Sequence, residues 1–285
     1  MSFIVRSIRP LIPRYTTPKP TNVRFFCYHR SYCISIKPHN YEDRNTRLFD
    51  LDKLIPGIPI NKNDRTWFTN INIAIRTQMN GPAYDASHDY EHIMRVVKET
   101  HRIWTAERHH EWARNIDPLV LFVAAIVHDI ADLKYASVKT DDGAKQKREC
   151  DIVRDFLDDL HCPPAIAEPA AHIASCVSFT HEKHDPARIR AECEAYPALK
   201  IVQDADRLDA LGSMGIARTA FYCGAREMTA NMSILRLVEL IDNRFSRYIP
   251  LMKTKTGAEL AEKRWAVMVA YREALLAQAE IEDVL

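Results

Sequence analysis

From about Phe49 to the C-terminus, apolar residues recur at intervals of three and four along the chain. This is the period of an amphipathic α-helix, whereas the alternation of period two that marks a half-buried strand is scarce. Proline and glycine fall between the periodic stretches, where helices are expected to end. The pattern predicts an all-α fold, in which a single helical bundle follows an irregular N-terminal extension.

The predicted helices differ in how much of their surface is apolar. The most apolar is PLVLFVAAIV, with Asp117 as the expected N-cap and Pro118 in the first turn, so it must lie in the core. The helix before it is expected to be capped by Asp85 or Ser87 and to reach about Ala106. In chain order, the predicted helices cover residues 64–79, 88–106, 118–127, 144–160, 165–177, 197–211, 214–222, 233–247 and 258–280.

Composition excludes several classes of protein. The longest apolar run, Leu119 to Val127, has nine residues. A membrane span needs roughly 20, so a soluble protein with no membrane partner is predicted. The seven glycines are too far apart to form G-x-G-x-x-G or G-x-x-x-x-G-K, which excludes Rossmann and P-loop nucleotide binding. The seven cysteines contain no C-x-x-C pair, which favours reduced thiols in a cytosolic or matrix compartment.

The net charge of +1 is unevenly distributed along the chain. Residues 1–41 hold seven basic side chains and no acidic one, which leaves 32 of the 39 basic side chains against all 38 acidic ones. An acidic body argues against duplex nucleic acid as a partner. The basic N-terminal stretch resembles a mitochondrial presequence, with an untargeted tail in a cytoplasmic protein as the alternative. Residues 1–50 are therefore predicted as a disordered extension and residues 51–285 as the folded domain.

The most apolar helix ends in a histidine and an aspartate, His128 and Asp129. Polar groups at the buried end of a core helix need a partner, either another side chain or a metal ion. A simpler alternative is a histidine that suits the negative end of the helix dipole, with Asp129 capping the next turn. The rest of the chain favours the metal.

Two further segments offer metal-binding side chains at helical spacing. The segment HDYEHIMRV places His88, His92 and Arg95 along one helix face. The segment IVQDADRLDALG interrupts an apolar pattern with three carboxylates, Asp204, Asp206 and Asp209. Two imidazoles and two carboxylates from three helices suit Mn, Fe, Co, Ni or Zn better than calcium, which prefers oxygen ligands alone.

The order of these motifs resembles the HD-domain superfamily of metal-dependent phosphohydrolases. The segments HDYEHIMRV, AAIVHDIADLKY and VQDADRLDALG are most similar to its bacterial and fungal branch, with SHD-x-x-H-x-x-RV, HD-x-x-D-x-K and DADRLDA-x-G-x-x-GIAR. The likeness covers residues 66–280, including MKTKTGAELAEKRW near the C-terminus. It implies an all-helical HD domain, one divalent metal and hydrolysis of a phosphate ester or anhydride, with nucleotides as the usual substrates.

The resemblance also implies a role for individual residues. The metal ligands would be His92, His128, Asp129 and Asp206, with Asp204 as the alternative for the last. Mn is the favoured ion, and Mg, Co, Ni, Fe and Zn are alternatives. Asp132 would orient or deprotonate the attacking water as the catalytic residue. The candidates for binding substrate phosphate are Lys134, Arg207 and Arg218, each with a solvated or salt-bridged side chain as the alternative.

Branches of the superfamily that hold two metals add histidines between the HD pair and the last aspartate. Here that interval contains His161, His172, His181 and His184, of which only His172 is expected on a buried helix face, so a second metal is disfavoured. The leading prediction is hydrolysis of a (deoxy)nucleoside triphosphate to the monophosphate and pyrophosphate. Alternatives are a phosphodiesterase or monophosphatase on the same metal and a non-catalytic module that senses a nucleotide, and a homo-oligomer is compatible with each.

Overall fold

Helices make up the regular structure in the described part of this protein. The computed structural model describes residues 46–81, 84, 88–131, 147–225 and 233–284, all within one compact unit of residues 41–285. This described part contains twelve α-helices and no strand, which confirms the predicted all-α fold. The predicted N-terminal extension, its targeting role and its boundary near residue 50 remain predictions, because residues 1–45 lie outside the described residues.

The α-helices follow one another with short connections. They are α1 Leu51–Leu54, α2 Lys62–Met79, α3 Tyr90–Glu107, α4 Pro118–Val127, α5 Glu149–Asp159, α6 Pro164–Ser175, α7 Phe179–His184, α8 Pro186–Ala195, α9 Ala198–Asp209, α10 Gly212–Ala225, α11 Arg236–Asn243 and α12 Lys255–Ala279. Two 3₁₀-helices, Phe245–Leu251 and Glu282–Val284, follow α11 and α12. No helix in the described ranges is both long and apolar enough to cross a membrane.

Helix α4 forms the centre of the core, as its composition predicts. Residues 120–127 are all buried, and the helix packs against α2, α3, α6 and α9. Asp117 caps its first turn, because the carboxylate accepts hydrogen bonds from the backbone N–H groups of Leu119 and Val120. Because α3 and α9 also pack against each other, the three helices α3, α4 and α9 meet where α4 ends.

Several helix boundaries differ from the sequence prediction. Helix α3 begins at Tyr90, and its N-cap is Asp89, which accepts a hydrogen bond from the His92 N–H at 3.0 Å. The predicted caps were wrong because Asp89 both caps the turn and places a negative charge at the positive end of the helix dipole. Asp85 and Ser87 themselves lie outside the described residues.

Two further segments differ from the sequence prediction. The polar stretch around HEKHDP forms α7 and α8, and Asp185 ends the first helix and caps the second. The single helix expected over residues 233–247 is instead α11 followed by a 3₁₀-helix, and the break falls at Arg244. This break places Arg244 at the wall of a cavity next to α9.

Candidate active site

The side chains predicted as metal ligands converge where α3, α4 and α9 meet. The Nε2 atoms of His92 and His128 lie 3.3 Å apart. Asp129 extends its two carboxylate oxygens to these nitrogens, with Oδ2 3.2 Å from His92 Nε2 and Oδ1 3.3 Å from His128 Nε2. Asp206 Oδ1 lies 3.7 Å from His92 Nε2 and 3.8 Å from His128 Nε2. Two imidazoles and two carboxylates thus surround one point.

Hydrogen bonds at Nδ1, on the side of each ring away from the cluster, fix the orientation of both imidazoles. His92 Nδ1 lies 2.8 Å from Asp209 Oδ2, and His128 Nδ1 lies 2.9 Å from the carbonyl oxygen of Ala125. An acceptor at each Nδ1 keeps the ring proton there and leaves a lone pair on each Nε2. The two lone pairs then face each other beside two carboxylates, an arrangement that a cation between them stabilises.

A second observation supports a metal at this point. Asp129 Oδ2 is buried and, within the part of the chain that the structure describes, has no hydrogen-bond partner. An ionised oxygen without a partner is costly to bury unless it binds a metal or another charge. The donor set therefore fits a divalent transition metal.

Asp209 is a functional residue to which the sequence analysis gave no role. It is buried, and besides His92 it accepts hydrogen bonds from Arg95 Nε at 2.7 Å and Arg218 Nη1 at 2.9 Å. It follows Asp206 by three residues on α9, so both carboxylates project from one helix face. This three-residue spacing in the sequence could have indicated that Asp209 lies beside the cluster. Asp209 holds His92 in place while Asp206 faces the two imidazoles.

Asp204, the alternative last ligand, lies elsewhere. It is fully buried, and its carboxylate accepts hydrogen bonds from the backbone N–H groups of Lys253 and Thr254 and from Thr254 Oγ1. These bonds anchor the start of α12, where Gly257 packs too closely against the carboxylate to carry a Cβ atom. These contacts hold the Asp204 carboxylate at the start of α12 and away from the two imidazoles. The structure therefore favours Asp206 at the cluster.

The predicted phosphate-binding residues have different positions. The predicted role of Arg207 in binding phosphate does not agree with its position. Its side chain is 1% exposed, forms an ion pair with Glu182 and donates a hydrogen bond to the carbonyl oxygen of Leu251 at 2.9 Å. One residue beyond Asp206, it points about 100° around the helix and away from the cluster. Arg218 does line the cavity, next to Asp209. Asp132 and Lys134 lie outside the described residues.

A cavity of about 240 Å³ opens directly onto the cluster. Its lining includes His128, Asp129 and Asp206 at one place and aromatic rings elsewhere, among them Phe179 and Tyr248. His88 also lines it, with its ring centroid 6.0 Å from that of His92. Burial lowers the pKa of His88 to about 4, so this imidazole is neutral at neutral pH. Three of the four predicted metal ligands thus lie on the wall of a partly aromatic pocket.

The additional histidines do not join this cluster. His172 Nε2 lies 2.7 Å from Glu192 Oε2, in a separate group with Cys176. His181 Nδ1 lies 3.0 Å from the carbonyl oxygen of Ser175. Both imidazoles therefore have partners of their own outside the candidate metal centre.

Comparisons with known proteins agree with this fold and site. No family model matches the chain. The protein YpgQ of Bacillus subtilis is 29% identical over 199 residues, which are 69% of this chain and 88% of that protein. The crystal structure of YpgQ in complex with ADP matches with a TM-score of 0.51 and 28% identity, over 72% of this chain and 96% of that chain.

Two further solved structures are similar. An HD-superfamily hydrolase from Bacillus thuringiensis matches with a TM-score of 0.50 and 25% identity, over 76% of this chain and 98% of that chain. A protein from Lactobacillus plantarum has a TM-score of 0.56 at 20% identity, over 77% of this chain and 98% of that chain, and supports the fold alone. The predicted resemblance to the HD superfamily is confirmed, and these similarities together with the candidate metal site support a metal-dependent hydrolase. Among such proteins, its similarity is to YpgQ in both sequence and structure.

Proposed function

We propose that this protein hydrolyses a phosphate ester or anhydride of a nucleotide, and that a (deoxy)nucleoside triphosphate is cleaved to its monophosphate and pyrophosphate. The observation that carries the proposal is the convergence of His92, His128, Asp129 and Asp206 on the wall of one cavity. The related YpgQ has been crystallised with ADP, which supports a small nucleotide as ligand. Duplex nucleic acid is not an expected partner.

The four converging side chains would hold one divalent ion, with Mn favoured and Mg, Co, Ni, Fe or Zn as alternatives. When bound, such an ion supplies a Lewis acid and lowers the pKa of water. The protein's part is to present the ligands: Asp209 and the Ala125 carbonyl hold the two imidazoles by Nδ1, so that neither has to be reoriented on binding.

Proton transfer is assigned to Asp132, which follows Asp129 by three residues. Its carboxylate would accept the proton of the attacking water at a carboxylate oxygen. This assignment depends on the sequence motif. Lys134, from the same motif, would place a positive charge near the substrate phosphate.

The cavity suits a single nucleotide. Ligand pockets for small molecules usually measure about 300–1,000 Å³. The volume here, about 240 Å³, lies just below that range, which limits the ligand to a small molecule. Aromatic residues such as Phe179 and Tyr248 line it and would offer ring surface to a base, while Arg218 would add a positive charge for its phosphates.

A nucleotide panel tests the proposal. Metal-stripped protein would be assayed with ribo- and deoxyribonucleoside mono-, di- and triphosphates and a cyclic dinucleotide, with Mn, Mg, Co or Ni added. Pyrophosphate released from a triphosphate supports the proposed reaction. Release of phosphate would indicate a monophosphatase, and cleavage of the diester a phosphodiesterase. Nucleotide binding without turnover at any metal would contradict hydrolysis and leave a sensing module.

A further inference from the structure

The structure assigns to Arg244 a role in binding the phosphate chain of the substrate, an inference that rests on the proposed function. Arg244 links α11 to the 3₁₀-helix Phe245–Leu251 and lines the same cavity as Asp206 and Arg218. Its charge interacts with that of the Asp206 carboxylate, which faces the metal cluster. Arg244 is thus a cation near the point where a bound phosphate would be attacked.

The guanidinium of Arg244 is held in place by two aromatic residues. Its Nε donates a hydrogen bond to the Tyr248 hydroxyl at 3.1 Å, and its central carbon lies 6.0 Å from the centroid of the Phe179 ring. Tyr248 is itself buried, and its ring packs against that of Phe179 at a centroid distance of 4.9 Å. The hydrogen bond to Tyr248 uses only Nε, and the two Nη groups have no hydrogen-bond partner among the described residues. They can therefore bind a ligand together as a planar fork.

The ion pairs of the two cavity arginines differ. Among the described residues, the ionisable carboxylates and guanidiniums that line the cavity are Asp129, Asp206, Glu149, Arg218 and Arg244. Arg218 forms an ion pair with Asp209 at 2.9 Å. Among the residues that the structure describes, no carboxylate lies within ion-pair distance of Arg244. Apart from the longer-range attraction of Asp206, it therefore has no close ion-pair partner among these residues, and guanidinium groups bind phosphate by paired, charge-assisted hydrogen bonds.

Two other arginines near the site, Arg207 and Arg247, lack the features that suit Arg244 to binding phosphate. The guanidinium of Arg207 is buried in its ion pair with Glu182, so it cannot reach a ligand. Arg247 lies within the 3₁₀-helix that Arg244 precedes; both arginines are exposed, but Arg247 does not line the cavity. Arg244 differs from both: Tyr248 and Phe179 hold its guanidinium at the cavity wall, and no carboxylate among the described residues forms a close ion pair with it.

The test compares Arg244→Gln with the matched control Arg247→Gln, each in the full chain with excess Mn²⁺. The readouts are ADP binding by calorimetry, KM and kcat for nucleoside triphosphate, bound Mn²⁺ and melting temperature. Loss of hydrogen bonds to a charged group predicts a Kd for ADP about 10- to 100-fold higher in Arg244→Gln. Arg247→Gln should match the wild type, and Arg244→Lys, which keeps the charge without the fork, should fall between the two.

Equal ADP affinity in Arg244→Gln and Arg247→Gln would overturn the inference, as would a metal-loaded wild type that binds no ADP. If the wild type cleaves nucleotides and Arg244→Gln has an unchanged KM, the inference fails while the proposed function stands. If no nucleotide is cleaved but Arg244→Gln weakens ADP binding, the proposed reaction fails while the assignment of Arg244 stands.

Discussion

Replacing Asp209 with asparagine tests whether the Asp209 carboxylate orients His92 for metal binding. Asp209 accepts hydrogen bonds from three side chains: His92 at 2.8 Å, Arg95 at 2.7 Å and Arg218 at 2.9 Å. Burial raises the pKa of Asp209, but His92 and Arg95 lower it by more, so its pKa lies below the usual range and the carboxylate stays ionised near neutral pH.

The expected loss follows from these contacts. The amide of Asp209→Asn has one oxygen and no charge, so it cannot accept from His92, Arg95 and Arg218 together. Loss of the group behind a metal-binding histidine typically lowers metal affinity about 10- to 100-fold. Arg95 and Arg218, which are only 23% and 12% exposed, also lose their ion pairs with this carboxylate, although Arg95 keeps a weaker one with Glu91 at 3.8 Å. This loss adds about 1–3 kcal/mol of destabilisation.

The assay is a titration of metal-stripped protein with Mn²⁺, together with a thermal melt. The matched control is Asp242→Asn, because Asp242 also accepts two hydrogen bonds from an arginine, at 2.7 Å and 2.9 Å from Arg272, but on the surface. An exposed pair contributes about 1 kcal/mol or less, so the control should melt near the wild type and bind Mn²⁺ normally. Wild-type Mn²⁺ affinity in Asp209→Asn would refute the positioning role.

Three further predictions concern separate parts of the chain. Asp132→Asn should retain Mn²⁺ but lower kcat about 10²–10⁴-fold if its carboxylate takes the proton of the water, and an unchanged kcat would remove it from the mechanism. Asp204→Ala should lower the melting temperature, since it removes the anchor of α12, yet leave one Mn²⁺ per chain; loss of the ion in a folded variant would instead make it a ligand. Deletion of residues 1–41 should leave folding and turnover intact, and an insoluble or inactive product would show that these residues contribute to the domain.

The sequence could predict the helices and the convergence of the cluster because both follow from periodicity. A helix as apolar as α4 has to be central, and the polar residues at its end then need partners on neighbouring helices. Asp209 was predictable in the same way, because it shares a helix face with Asp206. Arg207 was misassigned because being next to Asp206 in sequence does not place it on the same side of α9.

Arg244 could not be found from local pattern. The periodicity of residues 233–247 predicts a continuous helix, whereas the chain changes to a 3₁₀-helix at Arg244. Phe245 and Tyr248 are buried there against the rest of the domain, and Tyr248 packs against Phe179. Such contacts join segments far apart in sequence, so a single sequence does not reveal them.

The central claim is that His92, His128, Asp129 and Asp206 together hold one divalent ion. Its most direct test is calorimetric titration of metal-stripped protein with Mn²⁺, comparing the wild type with His128→Ala and with Asp242→Asn. The structure predicts one Mn²⁺ per chain for the wild type and for Asp242→Asn, and no binding with wild-type affinity for a folded His128→Ala. Full Mn²⁺ occupancy in His128→Ala, or none in the wild type, would contradict it.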